Sequence, residues 1–87
     1  MTFFLAECAV PNKTYQEIKA LLRAAAEISE QIAGPGIVVR FIRALYVPGD
    51  AHLMCLYSAS DATLVRDVNE AAQLPFTRIV EALEFPA

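Results

Sequence analysis

Apolar residues in this chain alternate between continuous runs and helical spacing. Residues 2–10, TFFLAECAV, are aromatic and aliphatic with a single charge, and Pro11-Asn12 closes them with a turn. That is the signature of a first strand. Thr14-Tyr15-Gln16-Glu17 follows as a capping box, in which the threonine hydroxyl accepts from the backbone three residues on and the glutamate returns the bond. Behind it Tyr15, Ile18, Leu22, Ala25, Ile28 and Ile32 recur at helical spacing, and Leu21 widens the stripe. Lys19, Arg23, Glu27 and Glu30 take the other faces, and Gly34-Pro35-Gly36 ends the helix.

From Ile37 to Val47 the sequence IVVRFIRALYV is β-branched and aromatic, with little helical periodicity. Pro48-Gly49-Asp50 turns it into AHLMCLYS, so the pair reads as a β-hairpin. Ser58-Ala59-Ser60-Asp61 offers a second helix cap. Leu64, Val65, Val68, Ala71 and Ala72 form the next stripe, which stops before Leu74-Pro75. Residues 77–85, TRIVEALEF, read as the last strand, and Pro86 discourages its extension.

The order strand–helix–strand–strand–helix–strand predicts a single ferredoxin-like α+β domain over residues 1–87. It is a four-stranded antiparallel sheet with two helices on one face and the first and third strands central. Both hairpin strands are apolar at nearly every position, which predicts burial on both faces of the sheet. The face without helices would then be covered by a second chain or by a ligand.

Composition sharpens that expectation. The chain has 87 residues, of which 56% are hydrophobic, against roughly 45–50% apolar for an average soluble domain. No run approaches the roughly 18 consecutive apolar residues of a membrane-spanning helix. The opening MTFFLAECAV lacks the basic residues of a secretory signal and is interrupted by Glu7. The surplus points to a homodimer joined through the open sheet face, since homodimer interfaces resemble domain cores.

The net charge is −3, and the seven basic residues are scattered along the chain. Nucleic-acid binding depends on clustered Lys and Arg, so it is not expected, and neither is an anionic membrane surface. Two cysteines without a CxxC spacing read as free thiols in a reducing cytoplasm.

Few residues carry candidate chemistry. Cys8 and Cys55 fall on the two central strands, where they either ligate a soft metal or act as small buried hydrophobes. His52 is the only histidine and needs further ligands before it can hold a metal. Glu7 interrupts the first strand and Arg43 the second. Strict alternation groups Glu7 with Phe3 and Leu5, and Arg43 with Val39, Phe41 and Leu45. If register brings those faces together, a Glu7–Arg43 pair would orient a ligand in an apolar pocket, with Tyr57 adding a hydroxyl. Otherwise each is part of an ordinary ion pair at a strand end or dimer rim. The chain carries none of the G-x-G-x-x-G, Walker, H-E-x-x-H or G-x-S-x-G motifs.

The segments FLAEC, VRFIRALYV, LMCLYSAS, VRDVNEAAQLP and RIVEALEF, taken together, resemble a family of short bacterial ferredoxin-like proteins that includes a nickel-binding member. The likeness covers nearly the full length and carries over at Glu7, Arg43, Cys55, Tyr57 and Pro75. It implies a small dimeric binding protein for a divalent metal such as nickel, or for a small ligand. Cys55 and His52 would be the metal donors, and Glu7, Arg43 and Tyr57 would contact the ligand. Two positions depart from the pattern. Ser58 stands where the family carries an acidic residue, and Val68 where it carries a histidine in the second helix. Valine offers no donor atom, so a metal here would rely on His52, Cys55 and Glu7. The alternative, by analogy with other dimeric proteins of this fold, is a cofactor-free isomerase, cyclase or monooxygenase. It would act on an apolar molecule in the cleft between sheet and helices, with His52 or Glu7 as acid or base.

Overall fold

A computed structural model describes residues 2–87. The elements are β1 (Thr2–Ala9), α1 (Tyr15–Ile32), β2 (Val39–Val47), β3 (His52–Ala59), α2 (Ala62–Ala71) and β4 (Phe76–Ala82), with a 3-10 turn at Pro48–Asp50. All strand pairs are antiparallel in the spatial order β2-β3-β1-β4, so β1 and β3 are central. This is the ferredoxin-like α+β arrangement expected from the element order.

Local signals explain both helix starts. Thr14 Oγ1 accepts from the Glu17 amide at 3.1 Å, and Glu17 Oε1 accepts from the Thr14 amide at 2.8 Å. At α2 the cap is Asp61, whose carboxylate accepts from the Thr63 amide at 2.8 Å. The α2 C-terminus closes with two backbone bonds, Leu74 N–H to the Asn69 carbonyl at 2.9 Å and Gln73 N–H to the Glu70 carbonyl at 3.1 Å. Gln73 takes the left-handed conformation this closure requires, with φ 59°.

The sheet has two unlike faces. Along β3, Leu53, Cys55, Tyr57 and Ala59 are wholly buried, whereas His52, Met54, Leu56 and Ser58 are half-buried. The buried set packs with Ala6 and Cys8 of β1, Ile18 and Ala25 of α1, and Val65 and Val68 of α2. Helices therefore cover one face. Register assigns the other: Leu5 pairs with Leu56 and Val80, Glu7 with Met54 and Arg78, and Ala9 with His52.

Two expectations change. Arg43 does not share a face with Val39 and Phe41, because the β2–β3 register shifts between Phe41 and Arg43. Phe41 pairs with Tyr57 on the covered face, and Arg43 with Leu56 on the open one. The extra residue of a bulge reverses alternation beyond it. Within one chain the face without helices stays accessible, with Leu45 64% exposed, as expected of a face left for a second chain or a ligand. Finally, β4 ends at Ala82, which leaves Leu83 and Phe85 as exposed apolar residues past the sheet.

Candidate functional site

The open face is apolar through Phe3, Leu5, Leu45, Met54, Leu56 and Val80, and one end of it is polar. Glu7 is the centre of that end, with its side chain only 17% exposed. Cross-strand pairing places Arg78 directly opposite Glu7, and Arg78 Nε donates to Glu7 Oε2 at 2.5 Å. From the other flank, His52 Nε2 lies 3.5 Å from Glu7 Oε1. Each carboxylate oxygen thus has its own partner, one on each neighbouring strand.

Arg43 is not that partner. It lies 3.7 Å from Glu84, in a pair whose side chains are 65% and 43% exposed. Arg43 is on edge strand β2 and Glu84 follows β4 at the opposite edge. Two strands, β3 and β1, lie between those edges, at spacings of about 4.8 Å, so the chain after β4 reaches across the open face. The Glu7–Arg43 pair fails because β3 lies between their strands, whereas Arg78 is an immediate neighbour.

The remaining sequence candidates lie on the covered face. Cys55 and Cys8 are free thiols with no exposure. The side-chain hydrogen bond with Cys8 and loss of solvent push the Cys55 thiol far above the ordinary range. His52 and Cys55 are three residues apart on β3, so the sheet separates the imidazole from the thiol. Tyr57 is wholly buried, its ring edge-on to Phe41 with centroids 5.4 Å apart. Its hydroxyl donates to Asn69 Oδ1 at 2.6 Å, and burial pushes the phenol well above its usual range, with the neighbouring Cys55 and Cys8 adding to the shift. Tyr57 is therefore a core tyrosine engaged with α2, not a hydroxyl presented on the open face beside Glu7.

Two residues of consequence escaped sequence reasoning. Arg78 is found only through the β1–β4 register. Asn69 had a usable signal, because Val65, Val68, Asn69 and Ala72 are spaced as one buried helical stripe in which Asn69 is the polar member.

Among the described residues, no group of three or more His, Cys, Asp or Glu side chains is placed to hold a metal ion. Glu7 and His52 nevertheless fit as two members of a larger set. Donors bound at about 2.1 Å to one first-row ion lie roughly 3.0–3.5 Å apart at right or tetrahedral angles, and the observed spacing is 3.5 Å.

The family model for nickel responsive proteins like SCO4226 matches residues 4–82. Among solved structures, the chain is similar to SCO4226 from Streptomyces coelicolor A3(2), known from a crystal structure. The two are 19% identical with a TM-score of 0.79, over 97% of this chain and 99% of that one. At that identity the likeness shows the fold. No curated protein matches the sequence significantly.

Proposed function

The chain belongs to the nickel responsive SCO4226-like family, and on that premise we propose that it is a dimeric binding protein for divalent nickel with Glu7 and His52 as donors. One observation carries this reading: a carboxylate oxygen and an imidazole nitrogen sit 3.5 Å apart on the open face, beside Met54 and Leu56. Imidazole and carboxylate both suit divalent first-row ions. A single chain offers two such donors, too few for a stable site. A two-fold dimer through the open face, with its axis beside this polar end, would bring the same patch from each subunit together and double the donor count. The half-buried Leu5, Met54 and Leu56 and the exposed Leu45 supply the apolar surface such a contact needs. Within this arrangement Arg43 is a rim residue of the dimer, Tyr57 supports the sheet from within, and Cys55 takes no part. Free thiols at Cys8 and Cys55 accord with a reducing cytoplasm. No helix among the described residues is long and apolar enough to cross a membrane.

The enzyme reading has less support. The cleft between α1 and the hairpin, about 190 Å³ around Tyr15, Leu22 and Tyr46, has no carboxylate or imidazole in its lining. Glu7 and His52 face the other side of the sheet.

Calorimetric titration of metal-free protein with nickel, with the solution mass recorded alongside, tests the proposal. The expected result is a dimer binding one ion per two chains, with binding lost in Glu7→Gln and in His52→Ala and retained in Cys55→Ala. A monomer, or affinity weaker than about 0.1 mM (roughly −5.5 kcal/mol), would overturn it.

A further inference from the structure

Arg78 stands opposite Glu7 because β4 is bulged there. The β1–β4 register passes from Glu7 with Arg78 to Cys8 with Phe76, which leaves Thr77 as the extra residue. Bulges re-aim the side chains beside them. Thr77 Oγ1 fixes this one by donating to the Glu7 backbone carbonyl at 3.0 Å. Glu7 is therefore held twice, its main chain by Thr77 and its carboxylate by the guanidinium, whose Nε donates to Oε2 at 2.5 Å. With its side chain 17% exposed, Glu7 has little room to turn away.

That clamp divides the carboxylate. Oε2 is taken by Arg78 of β4, and Oε1 lies 3.5 Å from His52 Nε2 on the β3 side. Oε1 is thus the oxygen that can share an ion with the imidazole. An ion chelated by both oxygens would have to stand beside Oε2 as well, cation against guanidinium. The ions that gain most from a second carboxylate oxygen are those that favour oxygen donors, such as calcium and manganese. Nickel takes imidazole readily and loses less when it binds one carboxylate oxygen and one ring nitrogen. The repulsion between the guanidinium and a divalent ion is common to all of them, so it cancels when two such ions are compared.

We propose, on the metal-binding reading above, that Arg78 is a positioning residue that sets the ion preference of the Glu7–His52 site by holding Glu7 to single-oxygen ligation. Groups that hydrogen-bond a ligating side chain tune metal affinity by about 10–100-fold, and this one acts on the ratio between ions. Arg78→Met keeps the long apolar stem of an exposed side chain and removes the donor, a change that spares the core. Titrated with nickel and with manganese, the variant should show a nickel-over-manganese affinity ratio about ten-fold below that of the native chain. A purely structural weakening lowers both affinities together, and an unchanged ratio overturns the proposal. The ¹H–¹⁵N signal of Arg78 Nε, assigned by its loss in Arg78→Met, gives a second readout. It should persist at saturating zinc, a diamagnetic probe ion, because the guanidinium keeps Oε2 in the loaded protein. Loss of that signal on zinc binding overturns the proposal and leaves the metal reading standing. A native chain that binds neither nickel nor zinc overturns both together.

Discussion

The Tyr57 hydroxyl donates to Asn69 Oδ1 at 2.6 Å in a buried hydrogen bond between two side chains. It ties central strand β3 to α2 through a layer otherwise filled by Cys55, Val65 and Val68. Replacing Tyr57 by Phe keeps the ring and removes the donor, which strands Asn69 Oδ1. The expected loss is about 1–3 kcal/mol, read as a lower urea midpoint with an unchanged slope.

The same burial makes stability sensitive to alkali. The fold raises the phenol above its unfolded value, so the contribution of Tyr57 is fully present below about pH 10 and falls as pH rises past it. Above that point the unfolded chain releases a proton that the native state keeps. Urea unfolding between pH 10 and pH 11 should show a decline that is shallower by about 1 kcal/mol in Tyr57→Phe.

Leu45→Glu places a charge on the open face at a position 64% exposed in the single chain. A solvated position tolerates this within about 0.5 kcal/mol. Burial of the same position in a dimer does not. Sedimentation should therefore show a dimer for the native chain and a folded monomer for the variant.

Gln73 occupies the left-handed position that closes α2, at φ 59°. Glycine adopts that conformation without the Cβ clash, so Gln73→Gly should stabilise the protein by about 1 kcal/mol, visible as a higher thermal midpoint.

The exposed Arg43–Glu84 pair at 3.7 Å should contribute little. Arg43→Ala is expected to change stability by less than about 0.5 kcal/mol in urea unfolding.

Much of the site was legible in principle, and some of it went unread. Residues 52 and 55 of one strand must point to opposite faces, an inference that needs only the period of two and no register. The polar interruption of the α2 stripe at Asn69 was likewise on view in the spacing. Arg43 was a different case. Its face depends on a bulge between Phe41 and Arg43, where no glycine marks the extra residue.

By itself the sequence determined the element order and the ferredoxin-like topology. It also determined the caps at Thr14 and Asp61 and the stripe of α1, because these rest on contacts between residues a few positions apart. Glu7's partners were decided only by tertiary structure. Arg78 is 71 residues distant along the chain, and pairing across strands follows the packing of the whole sheet. The same holds for the separation of Cys55 from the open face. That depends on which side the helices cover, a choice made by the sum of all apolar contacts and by no short segment alone.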